Sequence, residues 1–247
     1  MDTFTRAIHT RPRLSAALSL LSGGGTVADI GCDHGRLGVA LLQRGLCARV
    51  IAADVSAPSL DKARRLADLT GVSDRMETRL GDGFTPLKIG EADAVALLGM
   101  GGTLMREILS ASPVPLHGAK AGVFQPMRGV ADIRRYLDAE GYTVTHDRVV
   151  SEGGRYYQVF RAVPPEADAP CPPPLPDGWP EDCFFLGYRA FQDREALLLP
   201  LCEKLLAQRL ARLAKAEVPR MRGEARQLEQ IIAALTREHA PASPARP

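Results

Sequence analysis

Long apolar runs are missing from this chain of 247 residues. No stretch approaches the roughly 18 apolar residues that a bilayer-spanning helix needs, so no membrane partner is expected. The N-terminal MDTFTRAIHTRPRLSAALSLLSGGG is basic and then briefly apolar. Ser15 and Ser19 interrupt its apolar part and no A-x-A-like exit follows, so it reads as a helix of the fold rather than a signal peptide. The expected location is the cytoplasm. Cysteine is sparse and unpaired in spacing, at positions 32, 47, 171, 183 and 202, with no C-x-x-C and no Cys/His cluster. That argues against a disulfide framework and against zinc or another metal. Neither sign of charge dominates, the formal net charge being +2, so attraction to an anionic partner must come from local patches. With 45% apolar and 24% charged residues, the composition excludes a disordered chain and a collagen-like fibre.

Short apolar runs alternate with helical periodicity. TVADI at 26–30, RVIAAD at 49–54, METRL at 76–80, ADAVALLG at 92–99 and AGVFQP at 121–126 read as strands. Residues 35–44, 57–69 and 129–140 carry helical spacing. Such alternation predicts a parallel sheet with helices on both faces, and strands apolar throughout fit burial on both sides. YTVTHDRVV and RYYQVFRAV, joined only by SEGGR, predict a closing hairpin that makes the last strand or two antiparallel. Eight prolines between 163 and 180 mark a linker. Beyond it, Leu199, Cys202, Leu206, Leu210 and Leu213 repeat at coiled-coil spacing, as do Met221, Ala225, Leu228, Ile232 and Leu235. Two helices over 189–216 and 220–239 are expected to fold back on each other. The predicted organisation is a sheet domain over 1–162, a linker over 163–180, a helical hairpin over 181–240 and a disordered tail over 241–247.

The chemistry gathers at strand ends. Asp29-Ile30-Gly31-Cys32-Asp33-His34-Gly35 forms a glycine turn leading from strand to helix. Such a turn brings backbone close to a ligand and offers helix N–H groups to a carboxylate or phosphate. Asp54 ends the second strand, where an acid can accept hydrogen bonds from both ribose hydroxyls. The dinucleotide fingerprint is G-x-G-x-x-G, and here Asp33 occupies its second glycine position. An aspartate would repel a pyrophosphate. S-adenosylmethionine lacks phosphate and carries an ammonium and a sulfonium, so electrostatics favour the methyl donor, with Asp29 and Asp33 toward its amino-acid end. Gly81-Asp82-Gly83 follows the third strand and can reach the adenine amine. Gly99-Met100-Gly101-Gly102 follows the fourth, where backbone can approach the transferred methyl and its acceptor. Cys32 reads as a small buried residue, and Trp179 as an anchor for the linker.

Val27-Ala28-Asp29-Ile30-Gly31-Cys32-Asp33-His34, Arg79-Leu80-Gly81-Asp82-Gly83, Gly99-Met100-Gly101-Gly102, Gln125-Pro126 and Glu152-Gly153-Gly154-Arg155-Tyr156-Tyr157 together resemble the bacterial tRNA (adenine-22-N1)-methyltransferase family over roughly residues 10–162. Arg13-Leu14-Ser15 near the N-terminus fits the same pattern. The resemblance implies an α/β fold: a Rossmann-like class I methyltransferase sheet, mostly parallel with an antiparallel closing hairpin, plus a C-terminal helical, coiled-coil-like hairpin. It implies S-adenosylmethionine as cofactor, S-adenosylhomocysteine as product, no metal, and tRNA as partner, the protein acting as a monomer or weak dimer. Carried over residue by residue, Gly31, Cys32 and Asp33 lie at the methionine end with Asp29. Asp54 and Val55 lie at the ribose, Asp82 and Gly83 at the adenine, and Gly99 and Met100 between cofactor and target base. Gly101, Gln125, Arg13 and Tyr157 are expected at the substrate. Asp33 would stabilise the cationic product ring, and His34 would accept a proton from the exocyclic amine. Two positions depart from the family pattern: Met127, where asparagine is expected after Gln-Pro, and Gln158, where an acid is common.

For the tRNA body, Arg6, Arg11 and Arg13 offer one basic cluster. Arg209, Arg212, Lys215, Arg220, Arg222 and Arg226 on the helical hairpin offer another. Three rivals remain: methyl transfer to a small molecule or a protein, an NAD-dependent oxidoreductase, and a non-catalytic RNA-binding protein that retains the pocket as scaffold.

Overall fold

The structure, a computed structural model, describes residues 8–21, 23, 25–165, 175–177, 179–216 and 218–237. Most of the proline-rich stretch, Cys171 and the tail therefore lie outside the described residues. The chain opens with α1 (Pro12–Leu20), then runs β1 (Thr26–Ile30), α2 (Arg36–Gln43), β2 (Arg49–Asp54), α3 (Ala57–Leu69) and β3 (Met76–Leu80). It continues through β4 (Ala94–Leu98), α4 (Gly102–Ser110), a 3-10 turn at Pro115–Gly118, β5 (Ala121–Gln125) and α5 (Val130–Ala139). Strands β6 (Thr143–Glu152) and β7 (Arg155–Val163) precede three helices, α6 (Tyr188–Gln192), α7 (Leu198–Leu213) and α8 (Pro219–Arg237).

The seven strands form one sheet in the order β3-β2-β1-β4-β5-β7-β6. β1 to β5 pair in parallel, whereas β7 runs antiparallel to both β5 and β6. Only β7 is therefore reversed within the sheet. The hairpin closes on Gly153 and Gly154, whose φ values of +58° and +72° suit the primed turn that matches the strands' twist.

Alternation along the strands divides the core. Val27, Val50, Ala52, Ala96 and Val123 pack with α1, α2 and α3 on one face. Ala28, Ile30, Ile51, Val95, Leu97 and Phe124 pack with α4 and α5 on the other. Strand order reverses between β1 and β4, so the carboxyl ends of these two strands open a crevice there. α1 lies against β5, β6, β7 and α2 and so brings its first turn to the rim of that crevice.

A third apolar cluster joins the C-terminal helices to the hairpin. Leu198, Leu201 and Cys202 of α7 meet Leu228, Ile231 and Leu235 of α8, with Trp179, Cys183 and Val149 of β6. The start of one helix facing the end of the next makes the pair antiparallel, as the spacing predicts. Trp179 is buried and meets Phe191 edge-on at 5.6 Å, an anchor at the end of the linker. Two expectations change. The first predicted helix is split between α6 and α7, with Arg194 at φ +52°. The apolar seam of α7 is also shorter than expected: Leu210 is 49% exposed, and burial is confined to the helix's first half.

Candidate functional site

β1 delivers Asp29 to the crevice as a buried side chain, 3% exposed. Desolvation, reinforced by the nearby Asp54, raises its carboxyl to about 7, although a backbone hydrogen bond from Gly38 opposes the shift. Its Oδ2 has no hydrogen-bond partner among the described residues. An orphaned buried carboxylate oxygen costs free energy unless a ligand cation or donor meets it.

The turn after β1 is held by backbone and by Asp54. The N–H groups of Gly31 and Cys32 both donate to the Ala53 carbonyl, at 2.8 and 3.0 Å. Asp33 adopts φ +48°, and its N–H donates to Asp54 Oδ2 at 2.9 Å. Asp54 Oδ1 accepts the Ser56 N–H at 2.9 Å, next to the start of α3. Asp54 thus fastens the glycine turn to the second crossover while each oxygen keeps a lone pair. Gly31 adopts φ +71°, a left-handed conformation that strains any residue with a Cβ, and the Met100 side chain reaches across to it.

A cavity of about 740 Å³ opens at this point. It brings together Asp29, Gly31, Cys32, Asp33, His34, Gly99 and Met100 with Arg13 and Gln125. Asp82 and Gly83 line a second cavity of about 380 Å³, and Leu104 borders both. Tyr157 lines a third, while Asp54, Val55 and Gly101 lie outside these linings. Val55 is 68% exposed beside Asp54. The Cys32 thiol is buried and burial pushes its pKa up, which leaves it inert as a nucleophile. His34 Nε2 lies 3.1 Å from Lys62 Nζ and 3.4 Å from Asp33 Oδ1. An ammonium can only donate, so it occupies the lone pair that a proton acceptor would use.

The rim contains a residue that sequence reasoning placed in the hairpin motif but not in the site. Glu152, at the end of β6, lines the main cavity and accepts from Arg13 Nε and Nη2 at 3.0 and 2.8 Å. Those hydrogen bonds hold the Glu152 carboxyl below its usual pKa. Arg13 also lies 4.6 Å from the Tyr157 ring centroid, and its Nη1 donates to Met127 Sδ at 3.1 Å. Buried Gln125 donates through Nε2 to the Pro126 carbonyl at 3.1 Å. Of the two departures from the expected pattern, Met127 sits at this rim. Gln158 instead accepts from Arg134 Nη2 and donates to the Phe185 carbonyl, at 3.0 and 2.8 Å. An ionised acid could not make that donation. Among the described residues no group of three or more His, Cys, Asp or Glu side chains is placed to hold a metal ion. Nor is any described helix long and apolar enough to cross a membrane.

A family model described as a methyltransferase domain matches residues 10–160. The chain belongs to that methyltransferase-domain family. The match takes in β1 to β6, most of β7 and every residue lining the main cavity. Within this family, the chain is 31% identical over 157 residues to the tRNA (adenine(22)-N(1))-methyltransferase of Bacillus subtilis. That alignment covers 64% of this chain and 66% of the relative, just under two thirds of its length. Among solved structures, the M1A22 tRNA methyltransferase of B. subtilis superposes with a TM-score of 0.72 at 24% identity, covering 92% of this chain and 98% of that one. TrmK of M. capricolum, solved with S-adenosyl-homocysteine, gives 0.73 at 17% identity over 92% and 98%. The shared fold extends through the C-terminal helices, whereas the family match stops at the sheet.

Proposed function

We propose that this methyltransferase uses S-adenosylmethionine to methylate N1 of an adenine in tRNA, at the position corresponding to residue 22 in the B. subtilis relative's name. The observation that carries the cofactor is Asp29: a buried carboxylate with a free oxygen, in a cavity where a phosphate would meet Asp33. Those acids suit an ammonium and a sulfonium. Asp29 and Asp33 hold the amino-acid end, with Gly31 and Cys32 giving backbone contact. Asp54 and Val55 take the ribose, and Asp82 and Gly83 the adenine. Gly99, Met100 and Gly101 border the acceptor.

The cofactor supplies an electrophilic methyl on a cationic sulfur. Transfer of that methyl would leave the purine ring cationic and the sulfur neutral. No base is needed to generate the nucleophile, because N1 already has a lone pair once the adenine is unpaired. What the protein contributes is alignment, worth about 7–11 kcal/mol in favourable cases, and carboxylates near the migrating charge. Asp33 has that role. His34, engaged with Lys62, is the weaker candidate for taking a proton from the exocyclic amine. Gln125 and Arg13 hold the base edge, with Glu152 fixing the Arg13 fork. The acceptor is RNA rather than a metabolite because basic residues flank the cavity: Arg11 and Arg36 lie on its lining beside Arg13.

The test is transfer of a labelled methyl to unmodified tRNA transcripts, followed by mapping of the modified nucleoside. The expected product is 1-methyladenine at one site. Transfer to a protein or small molecule instead, or retention of the cofactor with no transfer to any tRNA, would overturn the RNA reading.

A further inference from the structure

A further cavity lies between the sheet domain and the C-terminal helices. Its volume is about 400 Å³, ample for one nucleotide. It adjoins the main cavity. Gln125 lines the main cavity and the next two residues, Pro126 and Met127, line this one. Arg13 lines the first, and its guanidinium lies over Tyr157, which lines the second.

Its walls combine two chemistries. Tyr156, Tyr157 and Phe185 supply aromatic surface, and Arg209 and Arg220 supply positive charge. Glu224 accepts the Nε of both arginines, at 2.9 and 3.1 Å, which leaves their Nη groups without hydrogen-bond partners among the described residues. The acid is the shielded member, 16% exposed against 70% for Arg220. Arg220 therefore faces outward, although the two arginines and two acids of the lining balance in formal charge. The remaining acid, Asp132, accepts from Thr103 at 3.1 Å. Aromatic faces beside arginines that keep free donors are the chemistry that holds an unstacked base and its phosphate.

We propose that this cavity is a second subsite, which takes the nucleotide adjacent to the target adenine. The base stacks on Tyr156 beside Phe185, and its phosphate meets Arg220. The inference rests on the RNA reading of the main cavity. It explains why the helical unit is joined to the β6–β7 hairpin at this point: α7 and α8 complete a site that the sheet alone leaves open. Extruding one base requires the chain to bend at its neighbour, and a neighbour held 'next door' fixes that bend.

The test is a binding cycle with S-adenosylhomocysteine present throughout. The probes are tRNA transcripts intact or made abasic at the nucleotide on either side of the target adenine. With the unaltered protein, one of the two abasic transcripts should bind roughly tenfold more weakly. With Tyr156→Leu that penalty should shrink toward unity. Arg220→Ala, an exposed change that leaves the core untouched, should lower the slope of log affinity against log salt by about 0.7. Equal binding of intact and abasic transcripts by the unaltered protein would overturn the subsite, as would an unchanged salt slope for Arg220→Ala. Labelled-methyl transfer to the intact transcript separates the two readings. Transfer without a flanking-base effect removes the subsite alone, whereas no binding of any transcript removes the RNA reading and the subsite with it.

Discussion

Asp29 is where burial and ligand chemistry meet most directly. Its carboxyl is raised from 3.8 to about 7, first by desolvation and then by Asp54. A folded-state value above the unfolded one means that the unfolded chain releases its proton at lower pH. Stability of the ligand-free protein should therefore decline as pH rises from 3.8 toward about 7. Ligand binding follows the opposite sign, because a ligand ammonium prefers the ionised carboxylate. Affinity for S-adenosylhomocysteine should rise as pH rises through about 7 and level off above it. Calorimetric titration on both sides of that value checks the expectation. Asp29→Asn should weaken binding by roughly tenfold or more at neutral pH, the worth of a charge-assisted hydrogen bond. It should also flatten both pH dependences. A variant that binds as tightly as the unaltered protein would show that the orphaned oxygen faces something other than the ligand's ammonium.

Beneath the β6–β7 hairpin, a buried polar network of the sheet domain reaches the segment before α6 through Gln158. Arg134 of α5 pairs with Asp147 of β6 at 2.9 Å, the side chains being 5% and 0% exposed. The guanidinium also lies 4.0 Å from the Phe160 ring centroid, and Gln158 links it to the Phe185 carbonyl. Desolvation still raises the Asp147 carboxyl against the pull of Arg134. Asp147 Oδ2 and Arg134 Nε lack hydrogen-bond partners among the described residues. Removing one member strands the other, so Arg134→Met should cost about 3–5 kcal/mol in urea unfolding. Arg134→Met combined with Asp147→Leu should recover much of that loss, since a buried pair often stabilises no more than apolar residues of similar size. A double variant no more stable than the single would assign the pair a genuine net gain. This joint was invisible in the sequence. Apolar runs and the two glycines of the hairpin turn revealed the strands, because burial on both faces leaves a local mark. The glycine turn and the acids at strand ends were legible for the same reason. Periodicity says which stripe is apolar but not how far a partner covers it, so Leu210 was assigned to a seam it does not enter. Arg13 and Glu152 lie 139 residues apart, and nothing local to either announces the pair.

Taken as one molecule, the chain carries too little net charge to attract RNA by its overall field. Its basic residues are instead distributed to particular faces. Arg212, Lys215, Arg222 and Arg226 are exposed on or beside α7 and α8, while Arg209 is half-buried against Phe185 and Glu224. Deleting the helical unit could not isolate its part in RNA binding. The deletion would strip the cover from Val149 and Tyr156 and unpair Gln158, so lost affinity and lost folding would arrive together. Reversing exposed charges avoids that ambiguity. Arg212→Glu with Arg226→Glu leaves the third apolar cluster and the Arg134–Asp147 pair in place. If both arginines meet duplex phosphates of the tRNA body, the double variant should lower the slope of log affinity against log salt by about 1.8. It should weaken all tRNAs alike, because phosphate contacts carry no sequence information. Affinity for S-adenosylhomocysteine and the midpoint of urea unfolding should stay as they were. An unchanged salt slope would make the outer face of α7 and α8 a solvated surface, and the helical unit would then serve RNA only through the cavity it completes beside Tyr156 and Arg220.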